Sequence, residues 1–324
     1  MAASQAGEGS EITLGSDPEF LLVNEAGRPM NAAHHIIRRN GKFGTDGCAS
    51  TAELRPDPAL EPWDAAENVR KVLVLGARTY PEAARFAWRA GSAYREHPTG
   101  GHLHFGHRDF DVRSESPAVD PLQLISETVE ARRARGMALS RARQHKVKVM
   151  GRLLDTHLAP LVMLMEDPRE ARARRGGTPR SYLSYGHLGD VRTDVAHGFE
   201  YRTLPSFIAT PATTLCVFAL AKLLVEHART GGYQIERVPF AGLTSDEFMA
   251  CDKAKVLREF SERWRAIKAM RGYERYEDAL RAFRWMLKQG ALFSQMPDMK
   301  LAWEIEEARP RERMRPEAAW EAVA

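Results

Sequence analysis

Cysteine is scarce in this 324-residue chain, and the three that it has are Cys48, Cys216 and Cys251. They are far apart and form no Cys-x-x-Cys motif. An odd number of widely spaced cysteines argues against a disulfide framework and against a thiolate zinc site. We therefore expect ordinary reduced thiols.

Other familiar signals are also missing. No apolar run approaches the roughly 20 residues of a membrane span, and the first ten residues lack the basic and apolar regions of a signal peptide. We therefore expect a cytoplasmic protein that has no membrane partner. The chain has no Gly-x-x-x-x-Gly-Lys-Ser/Thr loop, no strand-linked Gly-x-Gly-x-x-Gly and no Gly-x-Ser-x-Gly elbow. The common phosphate-binding loops and the serine-hydrolase elbow do not explain this sequence.

The composition is that of a globular protein with a large core, since 44% of the residues are hydrophobic. The net charge is +4 and the pI about 9.0. This balance favours anionic ligands such as nucleotides but is too small to imply nucleic-acid binding. Most of the local basic excess lies in residues 132–143 and 169–180. We interpret both runs as a solvated helix face or loop rather than a polyanion groove.

The hydrophobic pattern predicts an α+β protein. Extended segments are expected at residues 12–24, 41–55, 100–106 and 197–207, and helices at 64–79, 120–134, 147–166 and 212–230. Asp64 is the expected N-cap of its helix, and residues 169–192 are expected to form a long loop. Residues 1–10 have the composition of a mobile tail. From residue 243 the pattern is helical and charged, and its anchors are Trp264, Trp285, Trp303 and Trp320.

Four extended segments carry polar residues two positions apart. The pairs are Asp17 with Glu19, Glu53 with Arg55, His102 with His104, and Glu200 with Arg202. Side chains alternate along a strand, so each pair points to one face. A glycine pair precedes the two histidines and a single glycine follows them, in a Gly-Gly-His-Leu-His-Phe-Gly motif at residues 100–106.

Together these residues have the chemistry of a metal and phosphate site. Magnesium and manganese bind carboxylate oxygens and phosphates, and manganese also accepts imidazole. If the four strands are neighbours in one sheet, a two-metal set is available, formed by Asp17, Glu19, Glu53, Glu200 and His102. A guanidinium such as that of Arg202 binds phosphate oxygens in a bidentate manner.

Each pair alone also has a plain structural interpretation. Asp17 and Glu19 fit a capped turn or a surface pair. His102 and His104 fit packed or hydrogen-bonded histidines. The two Glu and Arg pairs fit cross-strand salt bridges on an exposed face. Metal hydrolases also combine His-x-His with scattered carboxylates, so a hydrolase is the main alternative enzyme class.

The order of four motifs resembles the phage-type COOH-NH2 ligases, the amidoligase branch of the glutamine synthetase and glutamate-cysteine ligase superfamily. The motifs are Gly-Ser-Asp-Pro-Glu-Phe at 15–20, Asp-Gly leading to Glu53 at 46–53, the histidine motif at 100–106, and Phe-Glu-Tyr-Arg-Thr at 199–203 with Pro-Ser-Phe ending at 207. The resemblance covers about residues 12–230.

This resemblance implies a curved antiparallel sheet, like the glutamine synthetase catalytic domain, that is covered by helices on its outer face. The sheet would carry ATP and two or more Mg²⁺ or Mn²⁺ ions. Residues 11–232 would form the catalytic domain, and residues 233–324 a helical region packed on it.

The resemblance also implies roles for individual residues. The implied metal ligands are Asp17 or Glu19, Glu53, His102 and Glu200. His104 would lie nearer the nucleotide phosphates, and Arg202 would contact the transferred phosphate. Related ligases carry arginines for phosphate or the acid substrate in the loop that here holds Arg180, Tyr185 and Arg192. The role of Arg55 is not given by the family pattern.

The expected activity is ATP-dependent ligation of a carboxylate to an amine through an acyl phosphate. The alternatives are a metal-dependent hydrolase that uses the same residues without ATP, and an inactive nucleotide-binding relative. Small-molecule or peptide carboxylates and amines would fit the expected activity, as would a nucleic-acid-linked substrate. Relatives in the superfamily often assemble, so a homo-oligomer is compatible with the resemblance.

Overall fold

The computed structural model describes residues 11–45, 50–107, 109–110, 128–176, 186–195, 197–235 and 237–305. Within these ranges the protein combines helices with antiparallel strands, which confirms the mixed α and β character expected from the sequence. The strands are β1 (Thr13–Ser16), β2 (Glu19–Val23), β3 (Pro29–Met30), β4 (Phe43–Thr45), β5 (Ala52–Leu54), β6 (Ala87–Arg89), β7 (Ala93–Tyr94), β8 (His97–Pro98), β9 (Leu103–Gly106), β10 (Val191–Arg192) and β11 (Gly198–Tyr201).

The strands that carry the paired residues lie in two joined sheets rather than in one. One sheet has the order β1-β9-β11-β10, and the other has the order β3-β2-β5-β4 with β6 also paired to β2. The chain passes from β1 to β2 through Asp17 and Pro18. Pro18 has no N–H to donate, so the ladder is interrupted there. Backbone hydrogen bonds from Glu19 to Gly100 (2.9 Å) and from Leu54 to Pro18 (3.0 Å) connect the two sheets.

Helices cover the sheets and form the C-terminal part of the described chain. The α-helices are Pro62–Thr79, Pro81–Ala84, Val129–Leu153, Ala159–Met163, Pro168–Gly176, Pro211–Thr230, Ser245–Ala250, Lys253–Lys268, Glu277–Lys288 and Met299–Ala302. Short 3-10 turns lie at Ala32–His34, Tyr273–Tyr276 and Phe293–Gln295.

Two helix predictions were wrong in detail. Asp64 is not an N-cap, because its helix begins at Pro62 after Glu61. The helices expected at 120–134 and 147–166 are replaced, in the described part, by Val129–Leu153, a π turn at Leu154–Leu158, and Ala159–Met163. In the π turn the N–H of Ala159 bonds to the carbonyl of Leu154. The wider turn accommodates Pro160, which donates no backbone hydrogen bond of its own.

Helix Pro211–Thr230 lies in the core, as its sequence predicts. Thr210 caps its first turn through the N–H of Thr213 at 3.1 Å. The helix is long and apolar enough to cross a membrane, but 72% of its most apolar stretch is buried within the protein. Such burial is typical of a core helix in a globular protein.

The tryptophan anchors predicted for the C-terminal region differ in burial. Trp264 and Trp303 are buried, and the indole N–H of Trp303 donates to the carbonyl of Ile208 at 2.8 Å. Trp285 is exposed, and Trp320 lies outside the described residues. The two buried indoles therefore anchor the helical segments that follow Pro211–Thr230.

The basic run at 169–180 does not form a solvated surface or a loop throughout. Its first part is helix Pro168–Gly176, in which the side chains of Arg174 and Arg175 are buried. Arg175 pairs with the buried carboxylate of Glu166. The hydrophobic pattern does not predict this helix, because arginine counts as a polar residue in such a pattern. Arginine can nevertheless be buried where carbonyl and carboxylate groups accept its hydrogen bonds.

Candidate metal and phosphate site

Asp17 lies between the two histidines of the 100–106 motif. The Nδ1 atom of His102 is 3.2 Å from Asp17 Oδ1, and the Nε2 atom of His104 is 2.9 Å from the same oxygen. Antiparallel register places His104 opposite Gly15 of β1. A Cβ atom at Gly15 would be in ordinary van der Waals contact with the Cβ atoms of His104 and Pro58, at 3.5 Å. The predicted common face of the two histidines is therefore observed.

Glu200 joins this group from β11, where it lies opposite His104 of β9. Its side chain is almost completely buried. Its Oε1 atom is 3.3 Å from His102 Nδ1 and 3.2 Å from Arg202 Nε, and its Oε2 atom is 3.0 Å from Arg192 Nη1. Arg192 lies opposite Glu200 in the β10 and β11 pair. One carboxylate thus contacts an imidazole and two guanidinium groups.

Glu19 and Glu53 extend the acidic surface into the second sheet. They lie directly opposite each other in the β2 and β5 pair, and both are buried. The N–H of Gly100 donates to Glu19 Oε2 at 2.7 Å, so the turn before His102 is tied to this carboxylate. Glu53 pairs with Arg55. The guanidinium of Arg55 also donates to the carbonyls of Gly41 and Thr45, at 3.1 and 3.2 Å.

These positions correct the surface interpretation of the two Glu and Arg pairs. Neither Glu53 nor Glu200 lies on an exposed face, and each pairs with the arginine two residues later on its own chain segment. Arg55 was given no role by the sequence. In the structure it compensates the charge of Glu53 and holds the backbone at Gly41, before β4, and at Thr45, the last residue of β4.

Ligand atoms from Asp17, His104 and Glu200 lie within 4.8 Å of one another. Two carboxylates and an imidazole at such separations fit Mn²⁺ well and Mg²⁺ through the carboxylates. The sequence assigned metal binding to His102 and phosphate binding to His104. Both imidazoles contact Asp17, and the compact three-residue set contains His104. The donor chemistry of the described residues therefore fits a divalent cation.

The charges in this group shift two pKa values. Burial tends to raise the pKa of Asp17, but His102 and His104 more than offset this effect and hold that pKa well below its usual range. Burial tends to lower the pKa of His102, whereas Asp17, Glu19 and Glu200 raise it above its ordinary value overall. The result is an ionised Asp17 beside an imidazole that holds its proton more strongly than usual.

A fully buried arginine ties two segments of the site together. Arg174 donates to the carbonyl of Thr99 at 3.0 Å and to that of Thr203 at 2.9 Å. The first carbonyl lies three residues before His102, and the second lies one residue after Arg202. The guanidinium also donates to the carbonyl of Arg202 itself at 3.3 Å. Sequence reasoning missed Arg174, and no signal beyond its place in an arginine run marks it.

Asp190 and Asp155 support β11 from neighbouring segments. The N–H of Arg202 donates to the carbonyl of Asp190 at 2.9 Å. Asp155 lies in the π turn and accepts a hydrogen bond from the Tyr201 hydroxyl at 2.7 Å. Burial raises the pKa of Asp155 to about 6, although hydrogen bonds from Tyr201, Gly189 and Thr203 oppose this rise. π turns are often found at functional sites.

Some predicted site residues lie outside the described ranges, and one residue near the site was not predicted. Arg180 and Tyr185 lie outside the described residues, as does the Asp-Gly pair at 46–47, so their predicted roles stay predictions. His197 was not predicted; its Nε2 atom is 3.2 Å from Nδ1 of His104. It precedes β11 by one residue, and it contacts the nitrogen of His104 that faces away from Asp17.

A comparison with models of known protein families agrees with these motifs. The model of the family described as phage phiEco32-like COOH-NH2 ligase-type 2 matches residues 14–135 and 142–305. A crystal structure of a bifunctional glutathione synthetase from Pasteurella multocida aligns with 91% of this chain and 51% of its own, at 13% identity and a TM-score of 0.45. The chain thus spans about half the length of that enzyme, and similarity at this level is too low to assign a fold. No curated protein matches the chain.

Proposed function

Because the chain belongs to the phage phiEco32-like COOH-NH2 ligase-type 2 family, we propose that it is an ATP-dependent ligase that joins a carboxylate to an amine. One observation carries the proposal within the structure. Glu200, a buried carboxylate, contacts His102, Arg192 and Arg202 at 3.3 Å or less. The same small volume therefore offers oxygen and imidazole donors for a cation together with guanidinium donors for phosphate.

Asp17, His104 and Glu200 would hold a divalent cation, and Glu19 and Glu53 would extend the acidic surface toward a second one. When bound, such a cation supplies positive charge that offsets the charge of the triphosphate oxygens. The three buried carboxylates, Glu19, Glu53 and Glu200, would otherwise repel that triphosphate. The residues present thus suit the cation and nucleotide that this reaction needs.

Arg202 and Arg192 would bind the phosphoryl group in transfer. The γ-phosphoryl group would pass from ATP to a carboxylate oxygen, which leaves ADP and an acyl phosphate. The amine nitrogen would then attack the carbonyl carbon, phosphate would leave, and the nitrogen would lose a proton to water. Phosphoryl transfer depends mostly on positioning and electrostatic stabilisation. The Nε atom of Arg202 lies 3.2 Å from Glu200 Oε1, and this ion pair would orient the guanidinium toward the phosphoryl group.

The test is ADP release by the purified protein with Mg²⁺ or Mn²⁺ and ATP, against pooled carboxylates and pooled amines. Release that requires both pools supports a ligase, and the pools can then be divided until the pair of substrates is found. Glu200→Gln is the inactive variant, and Glu82→Gln, an exposed glutamate on Pro81–Ala84, is its control. AMP and pyrophosphate would instead indicate adenylate chemistry.

The metal-dependent hydrolase remains the second candidate, because it would use the same acidic and histidine residues. ATP dependence separates the two. If ester or amide substrates are cleaved with Mn²⁺ alone, and added ATP has no effect, the hydrolase proposal replaces the ligase proposal.

A further inference from the structure

Helix Val129–Leu153 has an unusual charge balance. Its 25 residues include eight lysines and arginines against one acid, Glu130. From residue 128 to residue 146 no described side chain is buried, whereas Val147, Val149 and Met150 are buried near its C-terminal end. The helix therefore joins the protein core at its C-terminal end and presents its earlier turns to solvent.

Four basic side chains form one stripe on this helix. They are Arg141, His145, Lys148 and Arg152, at spacings i, i+4, i+7 and i+11, and all four are exposed. These spacings place side chains on one face, and the stripe is about 16 Å long at 1.5 Å per residue. Among the described residues, no carboxylate forms an ion pair with any of the four. Within the described part of the chain, the stripe is thus a row of basic side chains with no acidic partner.

The stripe ends beside the candidate site. Gly151, next to Arg152, packs on the edge strand β10, because a side chain at Gly151 would lie 3.2 Å from Val191 Cγ2. Arg192 follows Val191 and contacts Glu200 at 3.0 Å. A ligand lying along the stripe would therefore end near the arginine that borders the site.

We propose that this stripe binds the phosphate backbone of a nucleic acid. A duplex strand carries one phosphate about every 3.4 Å along the helix axis, so the stripe can contact several phosphates in succession. A membrane surface fits less well, because Val147 and Val149 face the core, and the exposed Met137 alone does not form a continuous apolar side for lipid. A protein–protein interface is expected to contain aromatic anchor residues, and the stripe contains none.

This binding does not depend on the ligase reaction. It also refines the earlier inference that the net charge of the chain is too small to imply nucleic-acid binding. The whole chain is only +4, but electrostatic attraction to phosphates depends on local charge within about a Debye length, roughly 10 Å at 0.1 M salt. Neighbouring members of the stripe are about 4.5–6 Å apart along the helix axis at 1.5 Å per residue, which is within that distance.

The test is fluorescence anisotropy with a labelled 20-base-pair DNA duplex and the corresponding single strand, over a salt series. The stripe variant combines Arg141→Gln, Lys148→Gln and Arg152→Gln. Its control removes the same charges from exposed positions of helix Lys253–Lys268, as Arg258→Gln, Arg265→Gln and Lys268→Gln. We expect the control to bind like the native chain. The stripe variant should lose at least about tenfold in affinity, and its slope of log K against log salt should fall by about 2.7, or 0.9 for each phosphate contact.

Several outcomes would overturn the proposal. These are no binding of duplex or single strand at low salt, equal losses in the stripe variant and the control, or equally tight binding of polyglutamate by the same stripe. Circular dichroism of both triple variants verifies that helix content is unchanged. Since the assay contains no ATP or amine, its failure would leave the ligase proposal unaffected.

Discussion

Glu19 and Glu53 lie directly opposite each other on the antiparallel strands β2 and β5, and both carboxylates are buried. Like charges in such positions destabilise a sheet. The protein offsets this cost with the N–H of Gly100 on Glu19 and the guanidinium of Arg55 on Glu53. A bound cation would offset it further, which is the pattern expected where charge is kept for function rather than for stability.

Glu19→Gln should separate function from stability. The glutamine oxygen can still accept from Gly100, while one of the two opposed charges is lost, so we expect the metal-free protein to gain about 0.5–1 kcal/mol in free energy of unfolding. Activity should fall about 100-fold or more, because a charge facing the cation is lost. Urea unfolding in EDTA and the ADP assay measure the two effects. Glu67→Gln, exposed on Pro62–Thr79, is the control, and native activity in Glu19→Gln would contradict the site.

Replacement of Asp17 should change the pKa of His102. The negative charge of Asp17 helps to raise the pKa of His102 against the effect of burial. In the metal-free Asp17→Asn variant the pKa of His102 should therefore fall, while the fold is kept. NMR titration of the histidine ring signals measures this change, with Asp64→Asn as the matched exposed control. An unchanged His102 titration would show that the two side chains are not in contact.

Asp155 should make stability depend on pH. Its pKa in the folded state is raised to about 6, whereas an unfolded aspartate titrates near the ordinary value of about 3.9. Between these values the folded state binds more protons than the unfolded state, so the free energy of unfolding falls as the pH rises from about 4 to 6. Asp155→Asn keeps an acceptor for Tyr201 and should lack this fall. Urea unfolding at pH 4.5 and 7.5 compares the two proteins, and parallel pH profiles would contradict the burial effect.

Arg174 should contribute more to stability than the exposed Arg172 of the same helix. Arg174→Met leaves the buried carbonyls of Thr99 and Thr203 without their donor, at a cost of about 1–3 kcal/mol for each such group. Arg172, exposed in the same helix, gives the control Arg172→Met, which should change the free energy of unfolding by less than about 0.5 kcal/mol. Equal effects of the two substitutions on the free energy of unfolding would contradict a stabilising role for the hydrogen bonds of Arg174.

The sequence predicted which polar side chains share a strand face better than it predicted how the strands pair into sheets. Alternation alone placed His102 and His104 on one face, and both reach Asp17 in the structure. The interruption of the ladder at Pro18 also follows from proline chemistry. Long-range partners were beyond the sequence, since register between β9 and β11 joins residues nearly a hundred positions apart.

Three arginines show why other parts of the structure were not predicted from the sequence. Arg55, Arg174 and Arg175 all belong to polar stretches that predict a surface. Their guanidinium groups instead donate to backbone carbonyls of other segments, Arg55 to Gly41, Arg174 to Thr203 and Arg175 to Phe248. A local pattern contains no information about such partners. The helix that holds Arg174 was therefore predicted as a loop.

The central claim is that a carboxylate is activated by phosphoryl transfer, and isotope transfer tests it most directly. The carboxylate pool is labelled with ¹⁸O, and the phosphate released with ADP is analysed by mass spectrometry after turnover with the amine pool. The proposed mechanism predicts one ¹⁸O atom in each phosphate released, because the acyl phosphate breaks between the carbonyl carbon and that oxygen. Unlabelled phosphate, or ¹⁸O found in AMP, would contradict it.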